Sequence, residues 1–462
     1  MLKKIKSIPQ QILLVALFSS IALINSGFWF WNTELQDPAT EKPSQSKVEN
    51  SDETAHSAHI AKKPGFIDIP QSKKNEIILR RLDVSKVLGE EISKNHFNKE
   101  TKLIWEGRAQ NVNVEYTLNP ILQNEANNLL NSYKPDYGAI IAMDPSTGKI
   151  LAMSSFERSP SLKTNLTTIA TFPAASVFKM VTATAALDKY NLSPDMLIPF
   201  NGGNYTLYRK NVLSDKITRW TKEITLRNAF ARSINTVFGK LSLQYMAPQD
   251  LSDYANKYLF NKDLYTDFPV QKSSIEVPTE KGFELAEVAS GYNKFNTLSP
   301  VQGAMMAASV VENGIMRAPY IVNSIKTKSG SSLYSADPLV LSMTMKPETA
   351  PVMRELMEET IFKGTSRKNF KKLLKDKKFR VLEMGGKTGS MTGTNPRGKT
   401  DWFVGYAYLD NQKLAIAAIT VNKEKWRVKS TYLAQSLVKV YFKPYLSQLS
   451  PSELKNLETQ DN

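Results

Sequence analysis

In PAASVFKM, residues 173–180, Ser176 is followed three positions later by Lys179. Such a pair can perform nucleophilic catalysis if the lysine is uncharged and its amine reaches the hydroxyl, because an alcohol at neutral pH needs a base beside it. The rest of the chain narrows the choice of base. There is no cysteine, and the only histidines among 462 residues are His56, His59 and His96. A Ser-His-Asp arrangement is therefore unavailable beyond residue 96, and a lysine, tyrosine or carboxylate must take the proton. Spacing alone does not settle the matter. The same Ser-x-x-Lys pattern occurs at Ser44/Lys47, Ser146/Lys149, Ser436/Lys439 and Ser452/Lys455. A serine before an apolar run is also an ordinary helix N-cap, with the lysine a solvated charge.

The elements around each pair separate them. A helix is predicted from Ser176 to about Asp188, which puts Lys179 on the serine's face just under one turn away. Val177, Phe178, Met180 and Val181 would surround the amine, and loss of water lowers a lysine pKa. Ser146/Lys149 instead falls in the turn of a hairpin, YGAIIAMDPSTGKILAMSSF, and is expected to be exposed. The remaining pairs lie in a polar tether, on a late amphipathic helix and in a polar tail. Two further groups follow Ser176. Ser233 and Asn235, in ARSINTVFGK, read as a turn between helices. Lys387, Thr388, Gly389 and Ser390, in GGKTGS, read as a strand leading into an apolar hairpin. Ser93-Lys94-Asn95 and Lys328-Ser329-Gly330 are rival matches, but no such hairpin follows Lys328.

The middle of the chain, 176–313, is predicted to be mainly helical, and strands return in DWFVGYAYL and KLAIAAITV. Strands at both ends with helices between them predict an α+β domain whose first and last segments share one antiparallel sheet. The N-terminus differs in kind. Lys3, Lys4 and Lys6 precede twenty uncharged residues, 12–31, enough to cross a hydrocarbon core of about 30 Å. Phe28 to Trp31 form an aromatic belt at the far side. The run is longer than a signal-peptide core and lacks a small-x-small site before FWFW, so it reads as an uncleaved anchor. The predicted organisation is a cytoplasmic N-terminus at 1–11, a transmembrane anchor at 12–31 and a flexible linker at 32–76. A short lead-in at 77–113, the main domain at 114–446 and a polar tail at 447–462 follow. With that domain outside the cytoplasm, the net charge of +16 does not point to nucleic acid. Nine basic residues crowd into 363–380, where Phe370, Leu373 and Leu374 give an apolar side. This stretch reads as a solvated helix and loop, with anionic wall polymer or lipid headgroups as the alternative contact.

SVFK, SIN and KTGS, in this order and at these separations, resemble the penicillin-binding proteins and serine β-lactamases. The resemblance spans roughly Val114 to Tyr445 and is nearest in style to the transpeptidase half of the bifunctional members, with no room upstream for their glycosyltransferase domain. It implies a five-stranded antiparallel sheet flanked by helices, with an all-helical subdomain. The implied activity is D,D-transpeptidation of peptidoglycan stem peptides. Ser176 is then the nucleophile, Lys179 its base, Ser233 a proton relay and Lys387 a source of positive potential. Asn235 holds the substrate amide, Thr388 and Ser390 bind the terminal carboxylate, and Gly389 lets the substrate backbone approach. The amides of Ser176 and Ser390 form the oxyanion hole, and no metal or cofactor is implied. Expected partners are stem peptides, β-lactam antibiotics, the membrane and cell-wall synthesis proteins, with the catalytic domain on the periplasmic side of the inner membrane. No Glu-x-x-Leu-Asn segment follows Ser233, which disfavours a β-lactamase. A D,D-carboxypeptidase and a non-catalytic penicillin sensor are the other readings. One departure from the family pattern is Ala175, where glycine is more usual.

Overall fold

The two apolar runs of the first predicted hairpin become β3 (Tyr137–Met143) and β4 (Ile150–Glu157). The late ones become β12 (Arg397–Leu409) and β13 (Gln412–Asn422), and KTGS lies on β11 (Glu383–Thr394). These five strands form one antiparallel sheet in the order β11-β12-β13-β3-β4. The early and late segments meet where β13 pairs with β3, Ala418 opposite Ile140, as the sequence predicts. The α+β class and the five-stranded sheet are thus as expected. The computed structural model describes residues 78–450, except 160, 161 and 163, and residues 452–454. The anchor predicted at 12–31, the linker at 32–76 and residues 455–462 of the tail lie outside the described residues. Among the described residues no helix is long and apolar enough to cross a membrane.

All seven residues of β3 are buried because both faces of the sheet are covered, which is why the strand reads as an unbroken apolar run. Ile141 faces one apolar cluster and Ile140 the other, as alternate residues of a strand must. On the first face lies α9 (Pro300–Val311), a twelve-residue helix buried all round. A Cβ on its Gly303 would lie 3.2 Å from the Ala417 and Val404 side chains, so glycine permits this close helix–sheet contact. On the second face lie α2 (Pro120–Tyr133) and α12 (Ser430–Leu446), packed through Leu122, Leu130, Leu433 and Leu437. The Asn119 side chain caps α2 by accepting from the amides of Ile121 and Leu122, with Pro120 at the first helical position.

The central helices are α3 (Lys179–Asp188), α4 (Arg209–Val212), α5 (Leu226–Ala231), α6 (Asn235–Tyr245), α7 (Pro248–Lys257) and α8 (Phe283–Ser290). Their subdomain is not all-helical, contrary to expectation. LIPF and KEIT pair as a ribbon, β5 (Leu197–Phe200) with β6 (Lys222–Thr225). Two more helices, α10 (Thr349–Phe362) and α11 (Arg367–Leu373), lead back to β11. The lead-in forms α1 (Arg81–Ser93), β1 (Glu100–Trp105) and β2 (Arg108–Tyr116). With β8 (Val322–Thr327) and β9 (Ser332–Ser335) it makes a second sheet, β1-β2-β8-β9. The border drawn at 113/114 falls inside β2, whose partner lies some two hundred residues on, Val114 opposite Ile325. A short ribbon, β7 (Ile315–Arg317) with β10 (Val340–Met343), completes the fold.

The rival motifs take unrelated places. Lys328–Gly330 is the turn between β8 and β9, and Ser93 ends α1. Ser146 and Lys149 sit in the β3–β4 turn but are half-buried rather than exposed. The turn is covered by the segment around Tyr320, whose carbonyl accepts from the Ile150 amide at 2.8 Å and whose own amide donates to Gly148.

Candidate active site

The helix predicted from Ser176 begins as a single 3-10 turn, Ala175–Phe178, with Lys179 the first residue of α3. Ser176 lies inside that turn and is not the N-cap, which is Ala174 for the turn and Phe178 for α3. Lys179 is fully buried, with Val177, Phe178, Met180 and Val181 around it and the Phe238 ring 5.6 Å from its nitrogen. Its Nζ lies 2.8 Å from Ser176 Oγ, 2.7 Å from Asn235 Oδ1 and 2.5 Å from the Ser290 carbonyl oxygen. Burial first, and then the positive charge of nearby Lys387, hold its pKa well below the usual lysine value. A neutral amine has two N–H bonds and one lone pair. Asn235 Oδ1 and the Ser290 carbonyl can only accept, so they take the two hydrogens. The lone pair is left facing the hydroxyl of Ser176.

Ser233 sits between α5 and α6 with φ +59°, and its Oγ accepts from Lys387 Nζ at 2.9 Å. Lys387 is buried, also donates to the Thr388 carbonyl at 2.8 Å, and is pushed down to about 7 by burial. Asn235 opens α6, and its Nδ2 donates to the Tyr205 carbonyl at 2.9 Å, which fixes the amide with its oxygen toward Lys179. β11 is an edge strand lying against the 3-10 turn. At Gly389 a Cβ would lie 3.3 Å from the Ser176 amide nitrogen, a tight contact that glycine relieves. Ser390 is exposed and pairs with Asp401. Asp401 accepts from Lys429 Nζ at 3.1 Å and from the Ser430 amide at 2.8 Å, and burial pushes its carboxyl upward.

Six of the eight predicted residues, Ser176, Ser233, Asn235, Thr388, Gly389 and Ser390, line one cleft of about 480 Å³. The other two, Lys179 and Lys387, are buried behind Ser176 and Ser233. A larger groove of about 690 Å³, between β2, β8 and α2, contains none of these residues. Among the described residues no group of side chains is arranged to hold a metal ion.

Residues 138–443 match the penicillin binding protein transpeptidase domain family. The chain belongs to that family. Peptidoglycan D,D-transpeptidase PbpA of Mycobacterium tuberculosis is 26% identical over 349 residues, 67% of this chain and 67% of that protein. Stage V sporulation protein D of Bacillus subtilis is 24% identical over 302 residues, 62% of this chain and 44% of that protein. The transpeptidase fold is also that of the D,D-transpeptidase domain of a peptidoglycan glycosyltransferase from Eggerthella lenta. That structure has a TM-score of 0.58 at 23% identity, covering 72% of this chain and 84% of that one. The imipenem acyl-enzyme complex of penicillin-binding protein A from M. tuberculosis gives 0.58 at 23%, covering 71% and 79%.

Within this transpeptidase-family site, several contributors have no sequence signal because they are backbone groups, the carbonyls of Ser290 and Tyr205. Thr365 and Asp401 hid in segments read as a solvated loop and a strand, and Lys429 lies in the connection after β13. The Ala175 departure has a physical meaning. Its φ is +48°, a left-handed conformation that glycine adopts freely and alanine only at a cost of about 1 kcal/mol. Gly291, which ends α8 with φ +63°, presses on the same residue. A Cβ there would lie 1.9 Å from the Ala175 carbonyl oxygen. The helix bearing the Ser290 carbonyl and the turn bearing Ser176 are thereby locked together.

Proposed function

We propose that this chain is a penicillin-binding D,D-transpeptidase that cross-links peptidoglycan stem peptides through an acyl-enzyme on Ser176. The observation that carries the reading is the buried Lys179 amine, whose two hydrogens are taken by Asn235 and Ser290 so that its lone pair meets Ser176. Ser176 Oγ attacks the carbonyl between two terminal D-alanines as Lys179 takes its proton. Negative charge gathers on the carbonyl oxygen between the amides of Ser176 and Ser390, a stabilisation of about 3 kcal/mol per donor in other enzymes. The bond to the last D-alanine breaks, and Ser233 passes its proton to the leaving amine while taking one from the Lys387 ammonium that donates to it. The free Nδ2 hydrogen of Asn235 holds the substrate's amide carbonyl, and the Thr388 and Ser390 hydroxyls hold its terminal carboxylate. An amine from a second stem then attacks the ester, its proton passing through Ser233 back to Lys387 while Lys179 returns the first proton to the departing Ser176 oxygen; water in its place gives carboxypeptidase action.

The relatives named peptidoglycan D,D-transpeptidases support this reading, as does the acyl-enzyme formed by the M. tuberculosis protein with imipenem. In the same reading residues 12–31 anchor the chain in the inner membrane and 32–76 tether the catalytic domain on its outer side. A fluorescent penicillin tests the centre of it. The purified chain should keep a lasting adduct that Ser176→Ala loses, and should join a stem peptide to an amine acceptor. Rapid release of the adduct would instead mark a β-lactamase, and no adduct at all a non-catalytic module.

A further inference from the structure

The turn Lys363–Ser366 between α10 and α11 touches both halves of the cleft. Gly364 lies so close to α5 that a Cβ would be 2.3 Å from the Ala231 carbonyl oxygen, and the Thr365 amide donates to that same carbonyl at 3.1 Å. Ala231 ends α5 two residues before Ser233. The Thr365 side chain reaches the other way, its Oγ1 2.5 Å from Thr388 Oγ1. One residue thus ties the Ser233 turn to the strand carrying Lys387–Ser390, and it lines the cleft itself, beside Lys368 and Lys429.

A threonine hydroxyl has one hydrogen and rotates freely unless a neighbour fixes it. For Thr388 to give its hydrogen to an anion in the cleft, its oxygen must be the acceptor in the contact with Thr365. That contact then runs Thr365 to Thr388 to ligand, each bond polarising the next. Without the first donor the Thr388 hydrogen has no preferred direction.

We propose that Thr365 is a positioning residue that aims the Thr388 hydroxyl at the carboxylate of a bound acyl donor, so that the cleft distinguishes donors with a free carboxylate from those without. The proposal rests on the transpeptidase reading above. Its test compares acylation of the full chain by benzylpenicillin and by its methyl ester, which lacks the charged acceptor. Thr365→Val keeps the shape and removes the hydroxyl. It should slow acylation by benzylpenicillin about tenfold, the size of one hydrogen bond to a charged group, while the ester rate stays within twofold of the parent. Thr365→Ser should restore the difference. Equal loss with both ligands, or no change with either, overturns the proposal. If Thr365→Val does not fold, Thr365→Ser and Thr365→Ala carry the same comparison. In the background of Thr388→Val, any substitution at 365 should leave the carboxylate preference unchanged, and a further drop there also overturns it. Failure of the parent chain to form any adduct would sink the transpeptidase reading instead.

Discussion

Ser146/Lys149 and Ser176/Lys179 have the same spacing and opposite surroundings. In the β3–β4 turn, Ser146 Oγ donates to Glu312 at 3.0 Å, and Glu312 also pairs with Lys413 at 2.8 Å and Arg317 at 3.0 Å. That serine faces an acid and stays an inert donor. In the cleft, the hydrogen-bond partners of Lys179 among the described residues are neutral oxygens, and beside them lies the charge of Lys387, with no carboxylate to hold its proton. The motif is a spacing, and its chemistry comes from what desolvates it.

Four measurements break or sharpen this contrast. Ser176→Ala should lower penicillin acylation by at least about 10⁴-fold, whereas Ser146→Ala leaves it within twofold. A comparable loss in both would place function in the turn. Lys179→Met should cost about 10³-fold, the scale of a general base, and should lower the thermal midpoint, because Asn235 Oδ1 and the Ser290 carbonyl lose their buried donor. Lys149→Met should not change acylation. The third is pH dependence. Lys387 sits at about 7 in the folded chain against 10.5 for an ordinary lysine, so the unfolded chain binds the extra proton between those values. The destabilisation is complete below about 7 and is relieved as pH climbs toward 10.5, so the urea midpoint should rise from pH 7 to 9.5, and Lys387→Met should flatten that slope. Acylation should fall on the acid side as Lys179 takes up a proton and loses the lone pair that faces Ser176. The smallest effect concerns two left-handed residues. Gly148 has φ +87° and space for no side chain, a Cβ lying 2.4 Å from the Ala318 carbonyl oxygen, so Gly148→Ala should cost about 2 kcal/mol. Ala175→Gly should instead gain about 0.5 kcal/mol, the relief of strain less glycine's greater unfolded freedom, as read by denaturant titration.

The site was legible where chemistry is carried by side chains in local settings. Ser176, Lys179, Ser233, Asn235 and Lys387–Ser390 could be named because each falls at a helix start, a helix–helix turn or a strand before an apolar hairpin. The groups completing it were hidden because they are carbonyls, as at Ser290 and Tyr205, or because their partners are remote, as for Thr365 and Thr388. The fold divides the same way. The strands β3, β12 and β13, covered on both faces, announce themselves as apolar runs. The sheet built from β1, β2, β8 and β9 does not, since its strands are short or largely exposed and β2 finds β8 only after the whole helical region intervenes. In 363–380 the apolar side of the charge run was visible but not its partner, for Phe370 stacks on Phe403 at 5.5 Å.

The border position of β11 has a consequence for what can be processed. An unpaired strand offers its backbone to any extended guest, whatever the guest's side chains. Here the turn bearing Ser176 packs on one face of that strand at Gly389, so a guest paired along the border lies beside the nucleophile.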